Sequence, residues 1–404
     1  MEGRPPRTIL VAGAGIGGLT AALAFAARGF QVEVFERAEC FEEIGAGIQL
    51  SPNATRILGT LGALDRLKGT AVAPEAVVLK DGKSLRELAR VPLGRAAETR
   101  WNAPYLVAHR ADLHGALLAG ASEHPRILLH SGSIVANVVF GSGEVIVTAE
   151  HDGRQEKMAG ALLTAADGVW SGLRRFVKGS RASRPSGPMA WRALVETASA
   201  TGRALIPLAP PDRVTAFLNP ALHMVIYPLR SGTVLNLVAL TNGEAGTGSW
   251  TNTIDTGPLA RAMRGFTPPL ADLAEAAKPW TAWPIHAVDP DGPWTDPRGL
   301  ALIGDAAHAM TPFAAQGAAM AIEDAWVLAA LVAEAANDLP AALARYEILR
   351  RPRIRRVVRR GAFNHFTWHA SGPIALARNL VLSARPPERL ASDFDWLYGW
   401  HAEI

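Results

Sequence analysis

Gly13-Ala14-Gly15-Ile16-Gly17-Gly18 lies between two apolar runs, Thr8 to Ala12 and Leu19 to Ala27. Glycines at this spacing permit a tight turn, close approach of a pyrophosphate to the backbone, and tight packing of a helix on a strand. The helix N-terminus adds unpaired N–H groups and the positive end of a dipole. Glu36, about 20 residues on at the end of a second strand (Gln31 to Phe35), is placed to accept from ribose hydroxyls. These residues together describe a dinucleotide site. They do not separate FAD from NAD.

A second segment runs Leu302-Ile303-Gly304-Asp305-Ala306-Ala307-His308 and continues through Pro312 to Gln316-Gly317-Ala318-Ala319. An apolar strand enters Gly-Asp, then a loop, then a helix starting near Gly317. Asp305 could bind a polyol, and the helix could aim its N–H groups at a developing anion. Alone, the segment reads equally as an ordinary crossover with Asp305 as a cap. A third segment, Ala165-Ala166-Asp167-Gly168-Val169-Trp170-Ser171 followed by Arg174, reads in isolation as a type I turn. In His223-Met224-Val225-Ile226-Tyr227, strand alternation puts His223, Val225 and Tyr227 on one face.

Elements must hold these residues in place, and the chain is long enough to build them. Its 404 residues imply two or three domains, or one large nucleotide-binding domain with an insertion. Apolar residues make up 49% and charged residues 19%, which supplies a sizeable core. No apolar run is long enough to span a bilayer. The run from Thr8 to Phe30 is studded with glycines and reads as strand and helix, not as a signal peptide. Cys40 is the only cysteine, which excludes an internal disulfide, a CxxC pair and a thiolate-rich metal site, and points to the cytoplasm. The net charge of +4 owes much to Arg350, Arg351, Arg353, Arg355, Arg356, Arg359 and Arg360. They spread over several helical faces without a nucleic-acid-binding module, so they read as a solvated helix paired with its own carboxylates. His365 and His369 are spaced i, i+4 without an evident third ligand, and read as packing on an amphipathic tail rather than as a metal site.

Further strands are expected at Ala76–Leu79, Ile127–Leu129, Ile134–Phe140 and Glu144–Ala149, with a helix from Ala111 to Ala121. Pro185, Gly187 and Pro188 read as a linker. Strands follow it at Trp191–Glu196, Val214–Leu218, His223–Tyr227 and Val234–Leu240. Their succession suggests an antiparallel sheet inserted into the nucleotide-binding fold. Leu300 to Gly304 returns to a parallel strand, Gly317 to Glu334 forms a long buried helix, and Pro352 kinks the helical tail.

The order and spacing of the three motifs resemble the class A flavoprotein monooxygenases, the group of para-hydroxybenzoate and salicylate hydroxylases. Gly304–Asp324 (GDAAHAMTPFAAQGAAMAIED) is the most specific element. Glu43–Asn53 and His109-Arg110-Ala111-Asp112-Leu113-His114 look like the salicylate hydroxylase branch. The resemblance extends from Ile9 to the Trp396–Gly399 tail.

It implies an α/β chain with a glutathione-reductase-type, Rossmann-like FAD domain over residues 1–74, 103–182 and 285–370. The substrate domain, an inserted antiparallel sheet, would cover 75–102 and 183–284, with a helical tail over 371–404. Gly13, Gly15, Gly17 and Gly18 would hold the FAD pyrophosphate, and Glu36 the ribose with Arg37 beside it. Gln49 would face the flavin edge, and Arg110 would reach the pyrophosphate and ribityl chain. Ile134 would frame the adenine, and Asp305 would bind ribityl hydroxyls. Pro312, Gly317 and Ala318 would border the isoalloxazine, with Asp167 near both FAD and the path of NADH or NADPH. No second GxGxxG appears, in keeping with a nicotinamide that only visits.

The resemblance implies hydroxylation of a small aromatic, phenolic or hydroxy-heteroaromatic and carboxylated, by way of NAD(P)H, O2 and a flavin C4a-hydroperoxide. His223 would deprotonate a ring hydroxyl and Tyr227 would orient it. A histidine near pKa 6.5 facing a phenol near 10 is about 3.5 units uphill, roughly 5 kcal/mol. The site must lower the phenol's pKa or pass the proton onward. Arg192 could attract a substrate carboxylate or form a structural pair. Phe313 stands where other branches carry a polar side chain after the proline. Neither nucleic acid nor membrane insertion is expected, and a homodimer is compatible with the resemblance. Rival readings are a flavoprotein acting on a non-aromatic substrate by epoxidation or reduction, an NAD-dependent dehydrogenase, and a non-catalytic FAD-bound protein.

Overall fold

The computed structural model describes residues 7–41, 47–241, 255–335 and 338–402. Thr8–Ala12 is apolar on both faces, so it forms the interior of a parallel sheet, with Ile9, Leu10 and Val11 fully buried. The six strands run in the spatial order Thr295–Asp296, Leu300–Leu302, Leu162–Ala165, Thr8–Ala12, Gln31–Phe35, Ile127–His130. All neighbours are parallel except the short edge pair Thr295–Asp296 and Leu300–Leu302.

The helix Ile16–Ala26 has no polar face, and it is buried nearly all round between this sheet and the helix Gly317–Glu334. Gly17 makes that packing possible, because a Cβ there would sit 3.3 Å from the Cβ of Ala321. A three-stranded antiparallel meander, Ile134–Phe140, Val145–His151 and Arg154–Gly160, adjoins the sheet. Its last strand is polar along almost its whole length and carried no apolar signal.

The second large sheet has seven strands, in the order Thr281–Ala287, Arg184–Glu196, Val234–Thr241, Leu222–Leu229, Arg213–Leu218, Ala76–Asp81, Glu87–Pro92. It departs from the expected antiparallel sheet at one place, where Arg213–Leu218 and Ala76–Asp81 pair in parallel. The expected linker at Pro185, Gly187 and Pro188 is also corrected. These residues belong to the strand Arg184–Glu196, and the prolines are accommodated by a register break between Pro185 and Met189.

Two long helices, Leu339–Trp368 and Gly372–Ala384, are followed by two short ones, Pro387–Ser392 and Asp395–Tyr398. The first runs through Pro352 as one element. Its arginines correct the expectation of a solvated face. Arg350 pairs with Glu323 and Asp324, and Arg353 with Glu323, all of them buried. Arg351 and Arg355 pair nearer the surface with Glu347 and Asp291. Buried arginines persist only where carboxylates desolvate with them. None of the helices among the described residues is long and apolar enough to cross a membrane.

Candidate active site

The glycine turn is held by two side chains from outside it. Glu36 accepts from the backbone N–H of Ala14 at 2.8 Å and of Ala38 at 3.0 Å. From the helix Arg110–Glu123, His114 Nε2 donates to the Ala14 carbonyl at 2.8 Å. Gly13 and Gly18 are dictated by close approach. A Cβ on Gly13 would fall 2.5 Å from the Ala166 carbonyl oxygen, and one on Gly18 would fall 1.8 Å from the carbonyl oxygen of Gly13.

Arg174 joins the other two motifs. Its guanidinium donates to the carbonyls of Gly168 and Val169 in one loop, and to those of Asp305 and Ala306 in the other. Gly304 N–H donates to Asp324 Oδ2 at 2.9 Å, and His308 Nε2 lies 2.6 Å from the same oxygen. Burial works against ionisation of Asp324, yet His308 and Arg350 hold its carboxyl down to about 2. The buried charges therefore fix the backbone of the Gly-Asp loop.

A cavity of about 770 Å³ opens among these parts. Gly15, Gly17, Gln49, Arg110, Asp305, Pro312, Gly317 and Ala318 line it, together with Arg192, His223 and Tyr227. Gln49, on the strand Gly47–Leu50, is oriented by the Tyr105 hydroxyl, which donates to its Oε1 at 2.7 Å. Gly13, Gly18, Glu36, Arg37, Ile134 and Asp167 stand outside the lining. Of these, Arg37 and Ile134 are exposed, and Glu36 holds the glycine turn itself. Asp167 is largely buried, accepts from Leu173 N–H and keeps Oδ1 without a partner; burial raises its pKa. Of the segment Glu43–Asn53, residues 43–46 lie outside the described residues.

These residues fit a dinucleotide with a redox-active ring. The helices Ile16–Ala26 and Gly317–Glu334 both start at the cavity, and neither has a side-chain cap or an acidic residue in its first turn. At Gly15 and Gly317 a Cβ would meet nothing within 4 Å, so both backbones are open to a ligand.

The strand Leu222–Leu229 supplies the other wall, with His223, Val225 and Tyr227 all facing the cavity. Burial pushes the Tyr227 hydroxyl's pKa upward, opposed by the nearby Arg192 guanidinium. Arg192 is mostly buried, packs over the Trp283 ring at 4.5 Å, and forms no ion pair among the described residues. Phe313 is buried, 5.5 Å from the His223 ring and stacked on His365 at 4.2 Å.

The partner of His223 is a residue that spacing did not reveal. His223 Nδ1 lies 2.9 Å from His369 Nε2, at the end of the helix Leu339–Trp368. His369 thus corrects the reading of the two tail histidines as ordinary packing. Burial pushes both rings toward the neutral form, His223 well below its ordinary value and His369 down to about 4. No cluster of metal-ligating side chains occurs among the described residues.

A family model described as an FAD binding domain matches residues 7–361. The 3-hydroxybenzoate 6-hydroxylase of Polaromonas naphthalenivorans strain CJ2 is 36% identical over 97% of this chain and 96% of its own. A 3-amino-4-hydroxybenzoate 2-monooxygenase of Streptomyces platensis is 36% identical over 98% and 96%. The crystal structure of Klebsiella pneumoniae HpxO with FAD and uric acid superposes with a TM-score of 0.81 at 27% identity, covering 96% of this chain and 95% of that one. The chain belongs to the FAD-binding-domain family of class A FAD-dependent aromatic monooxygenases.

Proposed function

We propose that this protein hydroxylates a small aromatic acid bearing a ring hydroxyl, using FAD, NAD(P)H and O2. The observation that carries the reading is the convergence of Arg192, His223 and Tyr227 on the cavity where the two glycine-led helices begin. When bound, FAD takes reducing equivalents from the nicotinamide and activates dioxygen.

This chain's residues do the rest. Gly13, Gly15, Gly17, Gly18 and Arg110 hold the pyrophosphate, Glu36, Arg37 and Ile134 the adenosine end, and Gln49, Asp305, Pro312, Gly317 and Ala318 the ring and its polyol. Asp167 stands beside the nicotinamide's path. Arg192 pairs with the substrate carboxylate, which relieves a mostly buried cation that no carboxylate among the described residues offsets. Tyr227 orients the ring hydroxyl, and His223 takes its proton. Because Nδ1 of His223 is committed to His369, Nε2 is the nitrogen left for substrate. Phe313 and Val225 exclude water from the reacting ring. A cytoplasmic location, where NAD(P)H is supplied, belongs to the same reading.

The test is NAD(P)H oxidation by the FAD-loaded protein against hydroxybenzoates, hydroxypyridines and phenols, with peroxide and product quantified. Stimulation by one hydroxylated aromatic acid, with matching product, supports the reading. Flavin binding without stimulation by any aromatic counts against it.

A further inference from the structure

We propose that His369 is the second member of a two-histidine relay that carries the substrate hydroxyl proton from His223 toward the C-terminal helix and solvent. The inference rests on the hydroxylase reading for the identity of the proton, and on geometry of its own for the path. His223 is 1% exposed, its contact with the cavity is taken up by the bound ring, and burial makes a charge on it costly. Its Nδ1 reaches His369 Nε2 at 2.9 Å, so one ring must donate to the other. The surroundings leave this as the open direction. Phe313 covers one side of His223 and Trp368 another, at 5.5 and 4.9 Å between ring centres.

In the transfer, the substrate O–H bond breaks and its proton goes to His223 Nε2. The Nδ1 proton of His223 passes to His369 Nε2, and the Nδ1 proton of His369 passes to water. One proton leaves the substrate and one enters solvent. His369 Nδ1 is buried without a partner among the described residues, which calls for a water, the acceptor that the last step needs. His369 is less buried than His223. Among the described residues no carboxylate traps the proton at His369. The groups around it are His365 on its own helix, His223 on the strand, and the rings of Phe313 and Trp368. Arg378 of the next helix donates to the Thr367 and Trp368 carbonyls and faces Asp81. The relay answers the uphill transfer from a phenol to a lone buried histidine by not storing the proton there.

The experiment uses FAD-loaded, full-length protein without oxygen or NAD(P)H. The probe is 4-hydroxy-3-nitrobenzoate, whose ionisation is visible by absorbance, mixed in a stopped flow at mildly acid pH. His369→Gln keeps an acceptor for His223 Nδ1–H but cannot pass a proton, whereas His369→Ala removes both. The relay predicts that H369Q binds the probe with a dissociation constant within about twofold of wild type. Its ionisation slows about tenfold or more, within the range ascribed to positioned proton transfer, and added imidazole buffer restores part of the rate. Ionisation in H369Q at the wild-type rate, or no ionisation of bound probe in wild type, overturns the relay. Rapid ionisation that needs His369, in a protein yielding no hydroxylated product from any aromatic, upholds the relay and defeats the hydroxylase reading.

Discussion

Gly47 and Tyr227 are fitted to each other: a Cβ on Gly47 would lie 2.4 Å from Cε2 of the Tyr227 ring. The N–H of Gly47 also donates to Asn236 Oδ1 at 3.0 Å, on the strand that pairs with the tyrosine's own. The strand bearing Gln49 is thereby seated against the strand bearing His223 and Tyr227. Gly47→Ala must move the ring or the strand, at a cost of about 1–3 kcal/mol for an overpacked core. Its kcat/KM should fall by more than that of Tyr227→Phe, with more peroxide released per NAD(P)H. Steady-state kinetics with peroxide detection check this ordering.

Arg192 presents to the cavity a mostly buried guanidinium that has no ion pair among the described residues. Arg192→Met should raise KM for a carboxylated substrate by roughly 30-fold or more, the loss of about 2 kcal/mol or more for a buried charge pair. KM for the same ring without its carboxylate should change little. Equal losses on both substrates would show that Arg192 acts by packing on Trp283 instead.

Stability should fall in acid through the two neutral histidines. His369 is held down to about 4 and His223 well below 6.5, whereas both return to about 6.5 in the unfolded chain. Between these values the unfolded state binds more protons, so their contribution is fully present above about pH 6.5 and is lost as pH falls toward about 4. The loss from Asp324 comes lower, from about 3.8 toward about 2. Thermal midpoints measured from pH 7 to 4 should decline in wild type and decline less steeply in H369Q.

Arg350 compensates two buried carboxylates at once, at 2.6 Å to Glu323 and 2.7 Å to Asp324. Arg350→Met leaves both underpaired and should destabilise by about 3–5 kcal/mol. Asp324 also holds Gly304, so FAD affinity should weaken in the same variant. Urea unfolding and flavin titration measure the two effects separately.

What the sequence made legible was what local chemistry decides. Thr8–Ala12, Gln31–Phe35 and Ile134–Phe140 form with the expected bounds, because each is an apolar run closed by a turn. His223, Val225 and Tyr227 share a face because strand alternation leaves no other choice. Arg154–Gly160 was invisible because a polar strand on a small meander buries almost nothing. His369 was set aside because its partner lies 146 residues away, and no spacing rule links a helix end to a strand at that distance. Arg350 was misplaced for the same reason, since its burial depends on Glu323 and Asp324 of another helix. Arg174 follows its motif closely in the sequence, but its hold on the Gly-Asp loop exists only in the fold.

The proposed reaction moves one oxygen atom from O2 to an aromatic ring. The direct measurement is mass spectrometry of product formed under ¹⁸O2 in ordinary water, using the aromatic acid that best stimulates NAD(P)H oxidation. One ¹⁸O per product molecule is expected, and none when the label is in water instead. Label entering from water, or NAD(P)H consumption that ends wholly in peroxide with every aromatic offered, would contradict it.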